Sequence, residues 1–165
     1  MNPNYLLKQI SSLILPFTVL ILVPAAIEKD MAIKIIPAFV TGVLIMLAGA
    51  ILLCLTIYNF ITIGKGTLAP WFPTGKLIVT GVYRYVRNPM ISGVTIILLG
   101  ESIAVLSLKI FYWMILFFLI NNLFFLVFEE PNLEKRFGKE YIDYKRKVPR
   151  WIPRLKPDQR LKDKG

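Results

Sequence analysis

The feature that most constrains this chain is Ile35–Gly64, 30 consecutive residues without a charged side chain. About 20 apolar residues suffice to cross the hydrocarbon core of a bilayer, so such a run must tilt or project beyond it. Three further stretches resemble it: Ile10–Ile27, Asn88–Leu108 with Glu101 as its single charge, and Ile110–Phe128. With 165 residues and a hydrophobic fraction of 56%, the chain has too much surface for its size to hide four such helices in a soluble core. The sequence predicts an all-α integral membrane protein in a single domain, residues 1–165. Its transmembrane helices number about four, over 6–27, 35–63, 89–107 and 110–128.

Prolines and turns shape these spans. Pro16 and Pro24 should kink the first helix or end it early, which neighbouring helices tolerate in a membrane. That run closes on Glu28-Lys29-Asp30 without a small-residue cleavage pattern, so it reads as a retained span rather than a signal peptide. Pro37 suits a first helical turn. Ser107-Leu108-Lys109 makes a tight hairpin between the third and fourth spans.

Charge sets the orientation. The net charge is +10, and from Glu129 onward 12 basic residues face 7 acidic ones. The 64–87 segment holds Lys65, Lys76, Arg84 and Arg87 and no acid. The positive-inside rule places that loop and the 129–165 tail in the cytoplasm, and four spans bring the N-terminus, with Lys8, to the same side. The compact length points to a prokaryotic inner membrane. A basic segment beside apolar helices suits anionic lipid headgroups better than nucleic acid.

Within the tail, Leu133, Phe137, Tyr141, Tyr144 and Val148 recur at spacings of four, four, three and four, one stripe of a helix. Lys135, Arg136, Lys139, Lys145 and Arg146 lie off that stripe, so the tail reads as a C-terminal amphipathic interfacial helix. Val148-Pro149-Arg150-Trp151-Ile152-Pro153 stops it and returns an aromatic to the membrane surface. Trp71, Phe72, Tyr83 and Tyr85 suit the headgroup zone.

The single cysteine, Cys54, reads as a small buried hydrophobe. The chain has no histidine, which removes His-based metal sites, bis-imidazole haem ligation and His general bases. No metal is expected.

Polar groups in or beside the membrane are costly and therefore informative. Asn88-Pro89 opens the third span as an N-cap followed by a first-turn proline. A helix start suits a carboxylate or phosphate, and Arg84 and Arg87 add cationic forks. The bland alternative is a plain cap with arginines at the lipid phosphates. Glu129 and Glu130 follow the fourth span, where two carboxylates oppose the helix dipole unless a cation sits against them. That cation is either Arg84 or Arg87 in a structural pair, or part of a ligand. Glu101, mid-membrane, has Asn121 or Asn122 as candidate hydrogen-bond partners across the hairpin.

These residues together resemble the integral membrane methyltransferases, the isoprenylcysteine carboxyl methyltransferase and phospholipid methyltransferase group. The resemblance rests on R-N-P-M-x-x-G from Arg87 and on E-E-P from Glu129. It also includes G-x-G-T from Gly64, the G-V-Y-R-Y-V-R approach, and the R-F-G-x-x-Y-x-x-Y-x-x-x-V-P-R-W-I-P tail. It covers residues 64–154. It implies S-adenosylmethionine as methyl donor and a lipophilic acceptor: a carboxyl group of an isoprenylated thioether compound, a phospholipid amine or a similar small molecule. Cofactor contacts map onto Gly64, Gly66, Tyr83, Arg87, Asn88, Pro89, Gly93, Glu129 and Glu130, with Arg87 and Glu130 as the catalytic pair. Carboxyl methyltransferases typically show histidine where Asn88 stands, whereas phospholipid methyltransferases are similar to this chain there. Many members carry tyrosine where Ile91 stands. The alternative from the residues alone is a non-catalytic membrane scaffold or small-molecule carrier.

Overall fold

The computed structural model describes residues 14–59, 62 and 77–156. Among the described residues every regular element is helical. We number the main helices α1 (Ile14–Ile27), α2 (Ile36–Asn59), α3 (Pro89–Ala104), α4 (Leu108–Phe137) and α5 (Lys139–Lys147). α2 and α4 are long and apolar enough to cross a membrane, while α1 and α3 are shorter apolar helices. Gly64, Gly66 and most of the 64–87 loop lie outside the described residues.

The apolar surface faces outward. Along α2, Val40, Leu44, Leu47, Ile51, Leu55 and Tyr58 form one exposed row at helical spacing. Such a row marks a surface that meets lipid or another protein. Cys54 belongs to this outward side rather than to a buried position.

The inward side of α2 is small. Gly42, Gly49 and Thr56 are its buried residues, one every seven positions; Gly42 meets Gly100 of α3 and Gly49 meets Gly93. A Cβ on Gly49 would stand 2.9 Å from the Gly93 carbonyl oxygen. Small residues at this repeat let two backbones touch, which drives helix association where no hydrophobic effect is available. The remaining centre is apolar: Ile91, Val94, Leu98 and Phe117 pack with Trp113, Phe125 and Trp151.

Two prolines are absorbed instead of ending their helices. π-helical bonding covers Thr18–Leu22, and α1 continues past Pro24 to Ile27. The same bonding covers Phe125–Glu129, and α4 continues past Pro131 to Phe137. Proline lacks an N–H and crowds the carbonyl four residues back. A local shift to i→i+5 bonding accommodates it. The expected helix end at Phe128 is therefore corrected: Glu129 and Glu130 lie inside a continuous helix.

The tail stripe also differs from expectation. Gly138, at φ +53°, separates α4 from α5. Tyr141, Tyr144 and Val148 are buried against Val79, with Leu77, Leu133 and Phe137 packed around them. The stripe covers protein, because the chain at 77–79 offers it an apolar partner.

At the opposite end, Glu28 joins the α1–α2 connection to the α3–α4 turn. Ser107 Oγ donates to its Oε2 at 2.6 Å and Lys109 Nζ lies 3.5 Å from its Oε1. The Asp30 amide adds a third donor at 3.4 Å. Ser107 also caps α4, accepting from the Ile110 amide at 3.3 Å.

Candidate functional site

The approach to α3 is built by its own backbone. A 3-10 turn, Gly81–Arg84, follows the extended 77–79 stretch. Gly81 has φ +58°, and a Cβ there would run into the Asn59 side-chain amide, so only glycine fits. Tyr83 is buried rather than at the headgroups, and its carbonyl accepts the Tyr144 hydroxyl at 2.7 Å. Burial pushes both phenols up, so each stays protonated.

Asn88 and Pro89 open α3 as the sequence predicts. Asn88 Oδ1 accepts from the Ile91 amide at 3.5 Å, and Pro89 occupies the first turn. Asn88 is 4% exposed, and its Nδ2 is buried without a hydrogen-bond partner among the described residues. A buried amide donor left unmade costs about 1–3 kcal/mol, which marks the start of α3 as ready to donate to an acceptor.

Arg87 reaches from this turn into the tail and α4 together. Its Nε donates to the Val148 carbonyl at 2.8 Å, and its backbone N–H donates to Pro149 at 2.9 Å. Its Nη1 lies 2.7 Å from Glu130 Oε1 and 3.4 Å from the Tyr141 hydroxyl. The pair is buried, with side-chain exposures of 10% for Arg87 and 3% for Glu130.

Glu130 holds more than Arg87. Arg150 Nε lies 2.7 Å from its Oε1 and Lys145 Nζ 2.9 Å from its Oε2. Lys145 also reaches Glu134 at 2.8 Å, and the two carboxylates, Glu134 first, hold its ammonium above the usual lysine range. Three cations against Glu130 keep it a carboxylate. Counting Glu134, three positive charges meet two negative ones, so the cluster retains one positive charge. Tyr141, desolvated and beside Glu130, is pushed up and stays neutral.

Glu129 points elsewhere, since adjacent helical residues diverge by about 100°. It is half-buried and makes no hydrogen bond or ion pair with a described residue; burial pushes its carboxyl up against the opposing pull of Arg136.

Of the residues singled out from sequence, the structure joins Arg87, Asn88, Pro89 and Glu130 at one end of the bundle. Tyr83 is tied to the same end through Tyr144. Gly93 packs on α2. Lys145, Arg150 and Tyr141 were not assigned to Glu130 from sequence.

Glu101 does not meet Asn121 or Asn122. Asn121 donates to the Phe117 carbonyl at 2.8 Å, and Asn122 accepts from Trp151 Nε1 at 2.9 Å and Arg150 Nη1 at 3.5 Å. The hairpin turns at Ser107, so these asparagines lie about 20 Å along α4 from the turn and Glu101 only about 9 Å along α3, at 1.5 Å per residue. Glu101 Oε2 is buried without a partner among the described residues.

The sequence model of the phospholipid methyltransferase family matches residues 37–140, more than half of the chain. That range includes Arg87, Asn88, Glu129 and Glu130. The chain is 30% identical over 84 residues to protein-S-isoprenylcysteine O-methyltransferase B of Arabidopsis thaliana, an overlap of 47% of this chain and 40% of the plant protein. It is 44% identical over 54 residues to an uncharacterized protein of Haemophilus influenzae, covering 33% of this chain and 76% of that one. No solved structure gives a significant match.

Proposed function

Because the chain belongs to the phospholipid methyltransferase family, we propose that it is a membrane methyltransferase that uses S-adenosylmethionine to methylate a lipophilic acceptor. The observation that supports this most is the buried Arg87–Glu130 pair at 2.7 Å. It fixes the start of α3 against the polar end of α4 across 43 positions of sequence.

The residues present fit the donor. S-adenosylmethionine supplies a methyl group on a positive sulfur, together with a carboxylate, an ammonium and a ribose diol. The orphaned Asn88 Nδ2, the first turn set by Pro89 and the residual positive charge at Arg87 suit the carboxylate. Glu129, without a hydrogen bond to a described residue, suits the ammonium or the diol. Glu130 holds Arg87 and Arg150 in place, so Arg87 and Glu130 form the fixed electrostatic frame. Tyr83 anchors the approach through its carbonyl. Gly93 lets α2 close on the start of α3. Gly64 and Gly66 are assigned to the donor's remaining contacts.

Methyl transfer is an in-line displacement, governed by alignment and exclusion of water. A carboxylate or thiolate acceptor needs no base. An amine acceptor must give up a proton, and Glu130 with three cations around it is a weak base. The buried phenols of Tyr83, Tyr141 and Tyr144 are neutral, which leaves Glu129 for that role only where the donor's ammonium and diol are held elsewhere. An acceptor with an apolar body enters from the bilayer. We place four spans in a prokaryotic inner membrane, with the 64–87 loop, the tail and both termini in the cytoplasm.

Calorimetry with S-adenosylmethionine on detergent-purified protein tests this. Saturable binding is expected, weakened about tenfold by Glu129→Gln and by Asn88→Ala, about the 1–3 kcal/mol of one buried hydrogen bond. A folded, monodisperse parent that does not bind would overturn the reading. The cluster around Glu130, already paired internally, would then favour a scaffold or carrier in which it is a structural tie.

A further inference from the structure

The segment after α5 turns back along α4. Both of its ends are held by the 85–87 backbone: the Arg87 amide donates to Pro149 at 2.9 Å and the Arg154 amide to Tyr85 at 3.0 Å. The residues between them, Arg150 to Pro153, project as a finger. Trp151 forms its inner side, bonded to Asn122 and with its ring 4.9 Å from Phe118 and 6.1 Å from Phe125.

The depth of this contact matters. The indole Nε1 and Arg150 Nη1 share Asn122 Oδ1, so the ring begins where the ionic cluster ends and reaches on to Phe118, twelve residues before Glu130. That is within the apolar stretch of α4, whose neighbours Leu119, Leu123 and Leu126 face outward. On the outer side of the finger Ile152 is 81% exposed, and Leu155 just beyond it is fully exposed.

We propose that the finger Arg150–Pro153 is inserted into the bilayer beside α4, with Ile152 in contact with lipid acyl chains and Leu155 at the headgroup boundary. Continuity decides the occupant: Ile152 follows Trp151, whose ring packs on Phe118 and Phe125 within the apolar stretch of α4. Arg150, at the base of the finger, keeps its charge on Glu130 and its Nη1 on Asn122, so the insertion leaves no cation unpaired in the apolar layer. Trp151, with an apolar ring and one donor, suits such a boundary. Lipid thereby becomes a structural partner of the segment that delivers Arg150 to the candidate site. The inference rests on the membrane-spanning reading of α2 and α4.

The test uses the full chain in phosphatidylcholine–phosphatidylglycerol nanodiscs. A nitroxide is placed at Ile152→Cys, Leu155→Cys, Leu44→Cys or Lys139→Cys, each in a Cys54→Ser background because Cys54 is the chain's only cysteine. Collision with oxygen is compared with collision with a water-soluble nickel chelate. Leu44, exposed mid-way along α2, reports the hydrocarbon, and Lys139, exposed on α5, reports water. Ile152 is expected to match Leu44, with an oxygen-to-chelate ratio several-fold above that of Lys139 and with Leu155 between them. A protected Leu44 with Ile152 matching Lys139 would overturn the finger proposal alone. A chelate-accessible Leu44 would overturn the spanning reading together with it.

Discussion

Gly42 and Gly100 meet backbone to backbone: a Cβ on Gly100 would lie 2.6 Å from the Gly42 carbonyl oxygen. The obstructing atom belongs to the main chain, so no side-chain rotation relieves it. The contact recurs seven residues away at Gly49 and Gly93, where a Cβ on Gly93 would lie 3.1 Å from the Gly49 carbonyl.

Alanine at Gly100 is therefore expected to destabilise the protein by about 1–3 kcal/mol, the usual cost of overpacking. Alanine at Gly93, with a few tenths of an ångström more room, should cost less. Thermal unfolding in detergent gives the ranking, and equal effects at the two positions would count against the seam.

Glu130→Gln leaves Arg87, Lys145 and Arg150 facing no charge at their shared centre. Breaking a buried ion pair from one side costs about 3–5 kcal/mol, and a loss of that order is expected in the unfolding of Glu130→Gln. Adding Arg150→Gln to that variant should restore part of it, because one of the stranded cations is then gone. The double-mutant cycle reads the coupling directly.

Glu28 makes the opposite end sensitive to acid. The Ser107 hydroxyl above all, then the Asp30 amide and Lys109, outweigh burial and hold its carboxyl below the ordinary value of 4.5. The unfolded chain then binds the proton more readily than the folded one. Stability from Glu28 is present above the unfolded value and is lost as pH falls through the folded one. The unfolding temperature of the parent should exceed that of Glu28→Gln at pH 7, with the gap closing below about pH 4.5.

Gly138 isolates backbone strain from packing. It sits at φ +53° and ψ −129°, and a Cβ there would meet nothing within 4 Å. Gly138→Ala is expected to cost about 1–3 kcal/mol through conformation alone, with Tyr141 and Tyr144 displaced from Val79. An unchanged unfolding curve would show that α5 joins α4 without a special backbone.

Much of the site was legible because it rests on local rules. Asn88-Pro89 announces a capped helix start, and unopposed carboxylates at Glu129-Glu130 announce a cation, which proved to be Arg87. The remainder depends on partners distant in sequence. Nothing near Gly138 reveals that Val79 will cover the Tyr141–Tyr144 stripe. A proline rule applied at Pro131 ends the helix too soon, because the π-helical segment that rescues it leaves no sequence signal. The pairing of Glu101 with Asn121 or Asn122 fails on arithmetic: hairpin partners must be counted from the turn at Ser107.

The hold of the last described residues on Arg87 has a bearing on biogenesis. Helices leave the ribosome in order, and α1 to α4 can enter the bilayer while the tail is still being made. Arg87 acquires Val148, Pro149 and, through Glu130, Arg150 only when residues some 60 positions later have emerged. A nascent chain therefore carries an open, uncommitted cluster until synthesis passes Arg154. The Arg87 cluster is thus closed last, by the segment that follows α5.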